Sequence, residues 1–235
     1  MNVLAIDTSG ANCCCAILNE EKVIANFNIN IGLTHSETLL PLIDALFSIS
    51  KLSLKDIDLF AVSVGPGSFT GIRIGISTIK GFALSLNKPV ISVSTLESLA
   101  YNIPYFDGIV CSILDARNNN VYAAIYDISD VPKMLGDYQT DSINSLINEL
   151  RKHDKKILFI GDGSISYKEI LQDEFKENAF FVPYHLNEQS AVSIAKAALY
   201  KFSRNEIDSV DALHPLYLRK SQAERMMDDA KGSSN

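Results

Sequence analysis

Three short stretches carry residues whose types and spacing could do chemistry. They are Asp7-Thr8-Ser9-Gly10, Gly65-Pro66-Gly67-Ser68-Phe69-Thr70-Gly71 and Gly161-Asp162-Gly163-Ser164. Each follows an apolar run that reads as a strand, where glycine-rich turns often hold phosphate. The second stretch fails two tests for that role. A Walker loop needs a lysine directly after its last glycine, and Ile72 stands there. A dinucleotide fingerprint needs G-x-G-x-x-G, and Gly65, Gly67 and Gly71 are one residue too widely spaced. Pro66 also removes a backbone N–H that an anion would use. The stretch reads better as a tight turn, with Ser68 or Thr70 capping a helix that starts near Gly71; an anion at that helix start is the alternative. Asp7, at a strand end, fits a metal-associated carboxylate or a plain turn former. The third stretch reads as a turn with Ser164 as cap, with approach to a nucleotide as the alternative.

The remaining reactive residues do not cluster. His35, His153, His185 and His214 form no H-x-x-x-H pair and none lies beside a cysteine, so no zinc site is expected. No G-x-S-x-G is present, which weakens a hydrolase triad. His35-Ser36-Glu37 reads as a helix start. Cys13, Cys14 and Cys15 alternate across a strand and cannot converge on one metal; with Cys111 they read as buried small hydrophobes.

These residues must be positioned by a folded chain. With 47% apolar and 21% charged residues, the 235 residues suffice for one large or two small domains. A net charge of −7 gains little from counterion release, so the chain is not expected to hold a nucleic acid by itself. The N-terminus lacks the basic region and cleavage site of a signal peptide, and no apolar run is long enough to span a bilayer; a cytoplasmic protein is expected. Strands are read at 2–8, 13–18, 22–30, 57–64 and 89–93, with helices over 36–50, 71–86 and 95–102. The order recurs: strands at 109–115, 121–127, 133–139, 156–161 and 179–182, helices near 141–153, 165–176 and 189–204. This β-β-β-α-β-α-β-α pattern, twice, predicts two mixed sheets with helices packed on them. It gives lobes at 1–104 and 105–223, a hinge near 102–108 and a frayed tail at 224–235. Two such halves describe the α/β architecture of actin, sugar kinases and Hsp70 chaperones, which hosts several chemistries.

Two helices of the first half stand out. At about 100° per residue, apolar residues of the helix 36–50 cover an arc of about 220°, far more than one core requires. The helix 71–86 opposes a bulky face with a small, uncharged one. Either both helices are buried within a large domain, or they form a docking surface. The residues assigned to that partner interface are Leu39, Leu42, Leu46, Arg73, Ile74, Ser77, Thr78 and Gly81.

The stretches MNVLAIDTSG, THSETLLPLI, GPGSFTGIRIGISTIKGFAL, DARNNNVYAAIYD and HPLYLRKSQAE, in this order along nearly the whole chain, resemble the TsaB (YeaZ) family. The resemblance implies an actin-like (ASKHA) fold and a non-catalytic subunit, without a cofactor or metal of its own. It implies a heterodimer with the paralogue TsaD and contact with the ATPase TsaE. TsaD modifies N6 of adenosine 37 in tRNA, so tRNA would be met only through the complex. The family places the TsaD contact on the first-half helices, and a homodimer is expected when the chain is alone. Asp7, Thr8, Ser9, Gly161 and Gly163 would mark a vestigial nucleotide site. The paralogue's H-x-x-x-H metal motif aligns with Thr95 and Leu99 here, which departs from it. The competing expectations are an independent actin-like kinase or peptidase, and a protein that only self-associates.

Overall fold

The computed structural model describes residues 1–218; the tail expected at 224–235 lies outside the described residues. Val3–Asp7 (β1), Cys13–Leu18 (β2) and Val23–Ile29 (β3) form the antiparallel meander. Leu59–Ser63 (β4) joins β1 in parallel, and Val90–Val93 (β5) joins β4, giving the order β3-β2-β1-β4-β5. The second sheet contains Ile109–Asp115 (β6), Val121–Asp127 (β7), Lys133–Gln139 (β8), Ile157–Ile160 (β9) and Ala179–Phe181 (β10). Its order, β10-β9-β6-β7-β8, repeats the first strand for strand. The central strands β1, β2 and β4 are buried along their whole length because both faces are covered. On the first sheet, Leu4, Ile6, Cys13 and Cys15 face one core, while Val3, Ala5 and Cys14 face the other.

Helices His35–Ser50 (α1) and Phe69–Leu86 (α2) cover the first face. Thr34 and Glu37 close a capping box at the start of α1, and Ser68 caps α2 by accepting the Gly71 N–H. The short helix Thr95–Ala100 (α3) then leaves its own sheet: Leu96, Leu99 and Ala100 pack on the second one, against Val110, Ala124 and Tyr126. The second sheet's outer face takes Ile143–Leu150 (α4) and Leu171 from a later helix. The single helix expected over 165–176 is two, Asp162–Ser166 (α5) and Lys168–Phe175 (α6). Ser164 is not a cap, since its hydroxyl donates back to the Gly161 carbonyl.

The last helix, Ala191–Ser203 (α7), returns to the first sheet, where Ala191, Ile194, Ala195 and Ala198 meet Val3, Ala5 and Ala61. Each half therefore lends a helix to the other's sheet. Lys201 on α7 pairs with Glu97 on α3 at 2.7 Å. The segment read as a hinge is anchored where Asn102 donates to the carbonyls of Leu186 (2.8 Å) and Glu188 (3.0 Å). Among the described residues no helix is long and apolar enough to cross a membrane.

The loop before α2 is shaped by contact with the turn after β1. The Thr8 hydroxyl donates to the Gly71 carbonyl and the Ser68 N–H to the Ser9 carbonyl, both at 2.7 Å. A Cβ on Gly71 would lie 2.0 Å from the Thr8 carbonyl oxygen, and one on Gly67 2.3 Å from that of Ser9. Glycine is required here for close backbone approach. A Cβ on Gly81, in the same helix, would meet nothing within 4 Å. Gly71→Ala should therefore lower stability by about 2–3 kcal/mol through overpacking. Gly81→Ala should raise it by up to ~1 kcal/mol through helix propensity. Denaturant midpoints measure both; equal midpoints would show that the approach of α2 to the turn is not limiting.

Candidate functional site

Two regions come from the residues singled out by sequence: the cleft between the sheets and the outer face of α1 and α2. In the cleft, Asp7 ends β1 with its side chain fully buried. Its Oδ1 accepts the Ser9 N–H at 2.7 Å, and Oδ2 has no partner among the described residues. A hydroxyl chain lies alongside: Ser63 Oγ is 2.9 Å from Thr95 Oγ1, which donates to Ser9 Oγ at 3.0 Å. Gln189 stoppers the turn from the other side, since a Cβ on Gly10 would lie 2.3 Å from its Oε1. Asn12 donates to the Gln189 carbonyl at 2.9 Å. The Ser9 N–H, which a phosphate would use, is thus already committed to Asp7, while Gly10 and Ala11 still border the cleft.

What remains open is a cavity of about 460 Å³, with Ser9, Ser68, Asp115, Arg117 and Asp162 in its walls. Asp115 donates its N–H to Asp162 Oδ1 at 3.0 Å, and burial pushes the Asp162 carboxyl above its ordinary range. Two neighbouring carboxylates disfavour a polyphosphate. Of the five residues expected to mark a vestigial nucleotide site, Ser9 alone lines this cavity. Asp7 and Thr8 are sealed beneath the turn. Gly161 and Gly163 face β6 instead: a Cβ on either would lie 2.2 Å from the Ile113 carbonyl oxygen or 2.5 Å from its Cγ2. Thr95 is held in the hydroxyl chain, and Leu99 is a core residue. Neither presents a group to the cavity.

The outer face of α1 and α2 is different in kind. Leu39 and Leu46, read as partner residues, are 1% and 0% exposed and belong to the first core. They align with Ile43 on the stripe of α1 that meets the sheet; Leu39 also reaches the floor of the groove between α1 and α2, whereas Leu46 does not line it. Leu42 is half-buried against the same core. Arg73, Ser77 and Gly81 are exposed along α2, and Ile74 and Thr78 are half-exposed. Sequence reasoning left out of the interface the three large side chains that do point outward: Leu40 (53%), Ile49 (67%) and Leu84 (65%). Leu84 follows Ile74, Ser77 and Gly81 at helical spacing, which was the available signal. Between the helices lies a groove of about 450 Å³, walled by His35, Leu40, Arg73, Ile74, Ser77 and Thr78.

Burial raises the Asp7 carboxyl from 3.8 to about 6, against the opposing hydrogen bonds from Ser9. A carboxyl raised in the folded state binds its proton more tightly there than in the unfolded chain. Its stabilising contribution is complete below pH about 4 and is lost as pH rises through about 6. Two pKa units correspond to at most about 3 kcal/mol. Asp7→Asn should flatten the loss of stability between about pH 4 and pH 7, read from urea unfolding at each pH. An unchanged slope would mean that Asp7 is ionised inside the fold.

A family model described as TsaD, tRNA N6-adenosine threonylcarbamoyltransferase, matches residues 29–227. The Bacillus subtilis tRNA threonylcarbamoyladenosine biosynthesis protein TsaB is 31% identical over 226 residues, covering 95% of this chain and 96% of its own. A crystal structure from Pseudomonas aeruginosa, described as an uncharacterized protein with similarity to peptidase YEAZ, superposes with a TM-score of 0.80 at 26% identity; 93% of this chain and 99% of that one are covered. The ROK hexokinase of Thermus thermophilus shares the fold alone, with a TM-score of 0.53 at 7% identity over 86% of this chain and 100% of its own. The doubled sheet is thus the actin-like fold. With the family model matching most of its length and a TsaB relative aligned almost end to end, the chain belongs to the TsaB (YeaZ) branch of the family that the TsaD model describes.

Proposed function

We propose that this chain is a non-catalytic subunit that supports a TsaD-type transferase in the threonylcarbamoylation of tRNA in the cytoplasm. The observation that carries this reading is the contrast between its two surfaces. In the cleft turn where an actin-like enzyme would hold phosphate, the Ser9 N–H is bound to Asp7, Gln189 packs against Gly10, and the cavity beside it carries Asp115 and Asp162. The outer face of α1 and α2 exposes Leu40, Ile49 and Leu84 beside the small residues Ser77 and Gly81. Small residues let a partner helix approach closely, and the apolar side chains at the edge supply desolvation. The first lobe, 1–104, is read as the docking unit and the second, 105–223, as its support. The partner is a TsaD protein, with TsaE joining the assembly and tRNA held by the complex rather than by this acidic chain. The same face would pair two copies when the partner is absent.

The purified chain should transfer nothing and turn over no ATP alone, yet restore activity to a mixture of TsaD, TsaE, ATP and the threonylcarbamoyl donor system. Tight ATP binding and turnover by the isolated chain would overturn this in favour of an independent actin-like enzyme. Gly81→Arg and Leu84→Asp, both at exposed positions, should leave the fold intact and weaken the complex with TsaD by at least about tenfold, the effect of losing ~1.4 kcal/mol. Calorimetric titration measures this; wild-type affinity in both variants would remove α2 from the interface.

A further inference from the structure

The hydroxyl chain behind the cleft has a direction. Thr95 Oγ1 donates to Ser9 Oγ at 3.0 Å, and a hydroxyl has a single hydrogen to give. The 2.9 Å contact between Ser63 and Thr95 is therefore a donation from Ser63. The outer hydroxyls of the chain, Ser9 and Ser63, both also face the carboxyl of Asp7. The Ser9 hydrogen is free to point at that carboxyl. The Ser63 hydrogen is not, because Thr95 holds it, and no group among the described residues donates to Asp7 Oδ2. An ionised Oδ2 would set its lone pairs against those of Ser63. A protonated Oδ2 gives its hydrogen to Ser63 and closes a ring: Asp7 to Ser63, Ser63 to Thr95, Thr95 to Ser9, and Ser9 back to Asp7.

All four residues are buried. In such surroundings a satisfied polar ring is strong and a broken one is costly. The ring joins three elements: the end of β1 with its turn, the end of β4, and the first residue of α3. Because α3 packs Leu96 and Leu99 on the second sheet, the ring ties that sheet's helix to the first half. His35 on α1 and Cys13 and Cys14 on β2 interact with Asp7 through their charge. Burial pushes both thiols up, so they stay neutral. The His35 ring is engaged with the Gly10 carbonyl at 3.0 Å. No charged residue lies on β4, and Glu97 on α3 is paired with Lys201 on α7.

We propose that the neutral side chain of Asp7 closes a hydrogen-bonded ring with Ser63, Thr95 and Ser9, and that loss of its proton opens the ring at Thr95 and loosens the start of α3. On ionisation Ser63 turns its hydrogen to the carboxylate, and Thr95 loses the donor that held it. The ring is thus a pH-sensitive latch between the two halves. It stands independently of the functional reading above.

Carboxyl carbon NMR of the full chain tests this, with the Asp7 resonance assigned by its loss in Asp7→Asn. Thr95→Val keeps the shape of the side chain and removes the hydroxyl, which frees Ser63 to donate to the ionised carboxyl. The midpoint of the Asp7 titration should then fall by about one pH unit, the effect of one hydrogen bond to a charged group. Thr95→Ser should restore the wild-type midpoint, and Thr95→Val should move it little in a Ser63→Ala background. A midpoint that rises or stays put in Thr95→Val would overturn the proposal, and so would an equal fall in the Ser63→Ala background. Hydrogen exchange reads the latch itself. The Thr95 N–H donates to the Gly65 carbonyl and the Ser98 N–H to that of Ser94. Their protection, corrected for the intrinsic pH dependence of exchange, should fall several-fold as pH rises through the wild-type midpoint. Asp7→Asn, whose amide donates to Ser63 at every pH, should hold that protection constant. Constant protection in the wild type would remove the latch, and the same fall in Asp7→Asn would assign the effect to His35 instead.

Discussion

The close approach of α2 to the turn after β1 is the constraint on which the rest of this structure depends. Backbone meets backbone at Gly67 and Gly71, with no room for a methyl group at either. The Thr8 and Ser68 hydrogen bonds fasten the two segments. This approach lowers α2 onto the sheet beside α1, which fixes the floor of the groove between them. It also covers Asp7, leaving one carboxylate oxygen buried without a partner among the described residues and raising the acid's pKa. One contact therefore buries Asp7 beneath the interior turn and shapes the exterior face.

Under the proposed function, the two consequences serve assembly rather than chemistry. Catalysis on an actin-like frame needs backbone donors free to meet phosphate. Here the Ser9 N–H is spent on Asp7, and Gln189 packs against Gly10. A docking surface needs the opposite: exposed apolar groups around small residues on a rigid element. Leu40 and Leu84 flank Ser77 and Gly81 on two capped helices that are held to the sheet by Leu39, Ile43, Leu46, Ile72 and Ile79.

The exchange of α3 and α7 between the sheets makes the two halves one packed unit. Enzymes of this architecture that open and close around a ligand need a seam that slides. In this chain Leu96, Leu99 and Tyr126 interlock across the seam, and Glu97 and Lys201 join the exchanged helices at its edge. Burial of that kind favours a fixed relation between the lobes.

Much of the fold was legible in the sequence. Apolar runs bounded by turns marked most of the ten strands among the described residues, the repeated order of elements suggested Lys133–Gln139, and that repeat anticipated the repeated sheet. The cysteine alternation on β2 followed from the two-residue period of a strand. The spacing of Gly65, Gly67 and Gly71 was enough to argue against a phosphate loop. The sequence did not show what Gly67 and Gly71 were for, because the Ser9 and Thr8 carbonyls that crowd them lie about sixty residues away in the chain. Nor did it say which side of α1 faces inward. When apolar residues cover more than half a helix, several stripes fit the period, and only docking onto the sheet selects Leu39, Ile43 and Leu46 over Leu40 and Ile49. The destinations of α3 and α7 were equally hidden. Local pattern determines that a helix forms and which residues are apolar; the sheet that buries them is chosen by long-range packing, which only the tertiary structure decides.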